Sequence, residues 1–342
     1  MSATGSASDN VRKDEALRLA DPLFVPVLTD YAPGAKGGVD AERMLAHFRH
    51  IRPHVRQVML AGSTGDGWEL EDEAFDALID LAASDIVADL DLSLLFGVLR
   101  GETEAVIARL QHLEARLAKD DRLAARVSAV AVCPPVEPEA GQERIIEHFE
   151  AIMAASHLPI AVYQLPQVTG CHIAPETFVR LAVSPRVTLF KDSSGEDAVA
   201  KSGLDFGDVA LVRGAEGGYL EALKPAGPYD GWLLSTGNAL AAPLRRILEH
   251  KAAGQVDAAA TLSSQVSEAV AGVFDAAQKE GGANAFSNAN RAMDHLAAHG
   301  RGWRDAPLPL KVDGNPLSRE LIEAAERIAG SLLLGEDSGY LG

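Results

Sequence analysis

Lys191 ends the apolar, β-branched run Val187-Thr188-Leu189-Phe190 and is followed at once by the polar turn Asp192-Ser193-Ser194-Gly195. Such a run reads as a buried strand that delivers an amine to a rim. Two fates are open to that amine. It snorkels to water or pairs with a carboxylate, the simpler reading for one lysine taken alone, or it is desolvated, titrates low and attacks a ketone as the free base. Tyr163 ends the preceding apolar run, Pro159–Tyr163. Neighbouring strands of a barrel lie roughly 4.8 Å apart, so if both side chains point inward, phenol and amine share one pocket. A phenol there can shuttle a proton during imine formation and C–C cleavage; otherwise it is a core tyrosine with a satisfied hydroxyl.

The turn Gly62-Ser63-Thr64-Gly65-Asp66 follows another apolar run. It offers backbone N–H groups and two hydroxyls, a set that suits a carboxylate, or else it is an ordinary turn whose hydroxyls bond to backbone. The lysine spacing of a phosphate loop is absent, as is a GxGxxG pattern. Gly214 and Glu216, just past the seventh strand, and Asn238, after the eighth, add rim groups that bind substrate or cap a helix. Trp68 and Trp232 line the mouth or pack in the core. Cys171-His172 raises a metal reading, with Cys133 as a third ligand, but the spacing is irregular and the signal weak.

These residues need a frame that brings strand ends together. Strand-like runs at Leu23–Leu28, Gln57–Ala61, Leu92–Gly97, Val127–Val132, Pro159–Tyr163, Val187–Lys191, Val209–Arg213 and Gly231–Ser235 alternate with helix-like segments. The helices include Ala41–Ile51, N-capped by Asp40, Glu71–Ala83, Thr103–Ala118, Gln142–Ala155, a helix opened by Pro175 and running to Ala182, and Tyr219–Lys224. Eight such repeats predict an α/β fold, a (β/α)8 TIM barrel with its site at the C-terminal rim of the strands. A doubly wound open sheet is the alternative. After Asn238 the pattern is helical only, over Ala239–Ala253, Asp257–Glu280, Ala285–Ala298 and Ser318–Leu334. The organisation expected is a loosely ordered tail over residues 1–20, a catalytic barrel over 21–245 and a C-terminal all-helical extension over 246–342.

Composition narrows the partners. With 342 residues, 47% hydrophobic and 23% charged, the chain suits one large folded unit. Its 49 acidic against 31 basic residues give a formal charge of −18, which disfavours nucleic acid and anionic membrane surfaces. An anionic substrate must then be held by local dipoles and hydroxyls. Two cysteines are too few for a disulfide framework, no apolar run reaches the ~20 residues of a membrane span, and no signal-peptide pattern opens the chain, so a cytoplasmic location is expected.

From about Pro22 onward the chain resembles the dihydrodipicolinate synthase and N-acetylneuraminate lyase family of class I, pyruvate-handling aldolases. Three motifs carry the resemblance in order. Gly62-Ser63-Thr64-Gly65-Asp66 stands for the family's Gly-(Ser/Thr)-Thr-Gly-Glu, Tyr163-Gln164-Leu165-Pro166-Gln167-Val168-Thr169-Gly170 for its Tyr-Asn-x-Pro-x-x-Thr-Gly, and Lys191-Asp192-Ser193-Ser194-Gly195 for its lysine motif. The resemblance implies that Lys191 forms a Schiff base with pyruvate or another 2-keto acid, that Tyr163 shuttles protons, and that Ser63 extends the relay. Thr64, with the amides beginning at Gly62, would hold the carboxylate. It further implies an aldehyde as second substrate, no metal or organic cofactor, and a homodimer or homotetramer.

Departures from the family pattern bear on the second substrate. Val168 stands where dihydrodipicolinate synthases carry an arginine for the second carboxylate. Cys133-Pro134-Pro135-Val136 replaces the aromatic pair after strand four. Glu216 falls where sugar-acid lyases of the family read hydroxyls, so a hydroxylated 2-keto acid is expected. A 4-hydroxy-tetrahydrodipicolinate synthase with an altered second site, a 2-keto-3-deoxy sugar acid dehydratase and a keto-acid-binding protein without turnover are the alternatives.

Overall fold

The computed structural model describes residues 21–34, 38–280, 284–334 and 338–342; the expected N-terminal tail lies outside them. Eight parallel strands, β1 (Leu23–Pro26), β2 (Gln57–Leu60), β3 (Ser93–Gly97), β4 (Val127–Val132), β5 (Ile160–Gln164), β6 (Val187–Asp192), β7 (Ala210–Arg213) and β8 (Gly231–Leu233), pair in chain order and close β8 on β1. The closed barrel predicted from the alternation is therefore present, and the open sheet is not.

Alternation along the strands divides the core in two, as period-two side chains require. Phe24, Met59, Leu95, Ala129, Ala131, Cys133, Ala161, Tyr163, Leu189, Val212 and Leu233 fill the barrel. Their neighbours in sequence, such as Val58, Leu94, Val130, Val162 and Phe190, face outward to the helical layer. Three alanines on β4 and β5 make the interior narrow-walled, which leaves room for a long side chain from β6.

The helices follow their sequence signals closely. Asp40 accepts a hydrogen bond from the Arg43 amide at 3.0 Å and starts Ala41–Ile51; Ser318 does the same for Arg319–Leu333. Pro175 opens Pro175–Ala182. Boundaries move by one or two residues in most elements. At β8 the strand stops two residues early, at Leu233, because Ser235 and Thr236 are already held in a turn by Glu216.

After β8 the helix Gly237–Ala252 begins, with non-helical backbone at Leu240 three residues before Pro243, where the proline ring crowds the preceding turn. Residue 245, the expected passage from barrel to extension, falls inside it. Helix Val256–Glu280 packs against this helix and against Ala285–His299 and Arg319–Leu333. Asn238 ties β1 to β8: its side chain accepts from Leu28 N and donates to the Pro26 and Ser235 carbonyls. It is a fully buried clamp rather than a rim group open to a ligand. Among the described residues no helix is long and apolar enough to cross a membrane.

Candidate active site

β5 and β6 are paired so that Tyr163 stands opposite Lys191. Both side chains point into the barrel, and the Lys191 Nζ lies 3.9 Å from the centre of the Tyr163 ring. Lys191 is 3% exposed. Burial lowers its pKa to about 7, while Cys133 and Glu216 pull weakly upward. Among the described residues it takes part in no ion pair; its Nζ lies over the aromatic face of Tyr163. Tyr163 is 3% exposed. Burial and Cys133 push its pKa well above the usual phenol value, so it stands as a protonated donor, and a hydrogen bond from Ser193 pulls the other way.

Gly214, on the loop after β7, borders the amine. A Cβ there would fall 2.8 Å from the Lys191 Cε and 2.2 Å from the Ser193 Oγ. A side chain there would push the lysine or the serine aside. Behind them Asp192, fully buried, accepts from the Ser194 amide and hydroxyl and from Tyr229. The Ser193 amide donates to the Gln164 carbonyl at 3.0 Å. These bonds fix the turn that holds Ser193 towards the phenol.

The Gly62–Asp66 turn lies after β2, whose end is unusual. Ala61 has φ +50, and its carbonyl oxygen lies where a Cβ on Gly67 or Gly97 would have to be. The two glycines let that carbonyl turn away, and the chain rises into a short 3-10 turn, Ser63–Gly65. Thr64 is 8% exposed. The amides of Gly65, Asp66 and Gly67 close on the Gly62 and Ser63 carbonyls. Among the described residues, the Ser63 and Thr64 amides have no backbone partner, as a carboxylate-binding turn requires.

Glu216 behaves differently from the sequence expectation. One carboxylate oxygen accepts from the Ser235 hydroxyl and the Thr236 amide, the other from the Thr236 and Tyr219 hydroxyls, at 2.7–3.1 Å. Its acceptor directions are all in use, so it anchors the β8 turn and acts on Lys191 only through its charge. Val168 sits on the short helix Pro166–Thr169 and is 40% exposed; Val136 is 38% exposed. Trp68 packs against the interior cluster near the mouth. Trp232 instead lies outside the barrel wall, fully buried, its indole donating to the Tyr219 carbonyl. Cys171 donates to the Pro135 carbonyl and His172 stands 3.9 Å from Glu196, so the two do not converge.

The match to known proteins is extensive. Residues 23–281 fit the model of the dihydrodipicolinate synthetase family. The chain belongs to that family. Its members are lyases and aldolases, and the (β/α)8 barrel with a helical extension is their fold. A 4-hydroxy-tetrahydrodipicolinate synthase of Xanthomonas axonopodis pv. citri is 28% identical over 248 residues, 72% of this chain and 78% of that protein. Among solved structures, a prophage protein of the same family from E. coli K12, determined with pyruvate, has a TM-score of 0.73 at 19% identity and covers 91% of this chain and 98% of its own. A Sulfolobus 2-keto-3-deoxygluconate aldolase has a TM-score of 0.72 at 16% identity, covering 91% and 96%. These two likenesses concern the fold.

Sequence reasoning placed Lys191, Tyr163, Ser63, Thr64, Gly62 and Gly214 at one end of the barrel, and the structure brings their strand ends there. It passed over Ser193 as a site residue; this serine follows β6 directly, in the turn fixed by the Gln164 carbonyl. Cys133, just past β4, entered the sequence reading only as a weak metal ligand and as part of the segment that replaces the aromatic pair; it lies in the barrel interior with Tyr163.

Proposed function

We propose that the protein is a class I aldolase that cleaves or forms a 2-keto acid through a pyruvate enamine on Lys191. The observation that carries this reading is a buried lysine outside any ion pair among the described residues, with a pKa near neutrality, set against an inward-facing tyrosine. The free amine adds to the keto carbon, and the carbinolamine loses water to give an iminium. Loss of a C3 proton, or cleavage of the C3–C4 bond with release of an aldehyde, leaves the enamine, because the iminium nitrogen accepts the electron pair. Protonation at C3 and hydrolysis return pyruvate and the amine; attack on an aldehyde runs the same step in reverse. Tyr163 passes the protons, with Ser193 as its hydrogen-bonding neighbour, and the Gly62–Thr64 turn holds the carboxylate. No metal or organic cofactor enters these steps.

The synthase reading is favoured by the names of the relatives and opposed by Val168, a side chain with no charge to offer a second carboxylate. The test is incubation with pyruvate and borohydride, followed by peptide mapping. A reduced adduct on Lys191 is expected; an adduct on another lysine, or none, refutes the mechanism. Pyruvate release from a panel of 2-keto acids then separates an aldolase from a keto-acid-binding protein. The homodimer or homotetramer expected from the resemblance is checked by light scattering.

A further inference from the structure

The anion turn is held from behind by a tail helix. Asp66, which closes the turn in a left-handed conformation (φ 57), is 3% exposed. Its carboxylate pairs with Arg291 of helix Ala285–His299, itself 2% exposed. Tyr31 donates to one oxygen at 2.9 Å and Asn284 to the other at 3.0 Å. The same helix reaches the turn's carbonyls: Ser287 Oγ donates to Thr64 O at 2.7 Å and Asn284 Nδ2 to Ser63 O at 3.0 Å. A second Arg291 nitrogen donates to Thr29 O at 2.8 Å, while Thr29 Oγ1 donates to Gly65 O. All three tail residues lie past residue 281, where the family match ends.

An acid two residues from Thr64 is an odd companion for a turn that takes a carboxylate. In a chain of formal charge −18, an uncompensated Asp66 would repel the ligand through protein rather than through water, where a unit charge is felt strongly. We propose that Arg291 is a positioning residue for the substrate carboxylate: by neutralising Asp66 while Ser287 and Asn284 hold the turn's carbonyls back, it leaves the Ser63 and Thr64 amides free to receive the anion. This rests on the reading of the barrel mouth as a keto-acid site.

The test compares pyruvate with acetone, which offers Lys191 the same ketone without a carboxylate. Apparent dissociation constants come from the concentration dependence of the borohydride adduct. Arg291→Met is expected to weaken pyruvate on the order of ten-fold and leave acetone within about two-fold. Asp66→Asn is expected to hold or tighten pyruvate, and Asp66→Asn/Arg291→Met to return it to within a few-fold of wild type. Equal weakening of both ketones in Arg291→Met, or selective loss of pyruvate in Asp66→Asn, overturns the proposal. If Arg291→Met does not fold, Asp66→Asn and the double variant decide by the same criteria. If the wild type traps neither ketone, the Schiff-base reading falls on its own, and pyruvate-dependent thermal shifts of the same variants still test the anion site: equal shifts in all refute it.

Discussion

Lys191 is the residue whose chemistry depends most on where it is put. With a pKa of about 7, about half of its molecules carry a free amine at neutral pH, against about one in three thousand for an ordinary lysine. Because only the free base attacks the ketone, kcat/KM for pyruvate is expected to rise as pH increases through about 7 and to level off above it, measured on the free enzyme. The same burial costs stability. The folded state holds its proton less tightly than the unfolded chain does. The penalty is therefore full below about pH 7 and fades as pH rises from there towards 10.5. Lys191→Met, which removes a buried charge from an apolar column, is expected to raise Tm by several degrees at pH 6 while abolishing turnover, as calorimetry and a pyruvate assay would show. A lower Tm would mean that the amine is paired in the folded state. For Tyr163→Phe, a drop in kcat of about 10²–10⁴ with a small change in KM is expected; an unchanged kcat removes the phenol from the proton path.

At the scale of elements, the site is an agreement between neighbouring strand ends. The register of β5 on β6 puts Tyr163 beside Lys191, and the loop after β7 must then pass without a side chain at Gly214. Gly214→Ala is expected to lower kcat by about 10²-fold or more by pushing Lys191 or Ser193 aside, since displacements near 1 Å are costly in a site built on orientation. The overpacking is also expected to cost about 1–3 kcal/mol in denaturant unfolding. Full activity would show that the loop yields. Much of this was legible in the sequence because strands and helices have local signals: Asp40, Pro175 and the β-branched runs each mark a boundary. Lys191 and Tyr163 could be placed at one rim because each lies near the end of an apolar run, and each is the last residue but one of its strand. Glu216 could not be read correctly, because its bonds go to Tyr219, Ser235 and Thr236 across two loops, and such closure has no local signature. Arg291 was hidden for the same reason. It lies 225 residues from its partner Asp66, on a helix of the C-terminal extension rather than of the barrel.

For the whole molecule, the formal charge of −18 sets a condition on any anionic substrate. The mouth offers little cationic help at Val136 and Val168, and Arg100, on the loop after β3, spends its guanidinium on the carbonyls of Gly67, Trp68, Leu99 and Leu70. Capture must then rest on the turn after β2, with amides in front and Arg291 behind, working against the field of the rest of the surface. Salt weakens that field: the Debye length falls from about 30 Å at 0.01 M to about 8 Å at 0.15 M, whereas contacts inside the barrel are screened far less. KM for pyruvate is therefore expected to fall a few-fold across this range, with the apparent affinity for a neutral ketone unchanged. An enzyme that held its carboxylate with exposed lysines or arginines would show the opposite slope, because salt would screen an attraction. A rising KM for pyruvate with salt would thus reject a buried amide turn as the anion site and direct attention to an exposed cation at the rim.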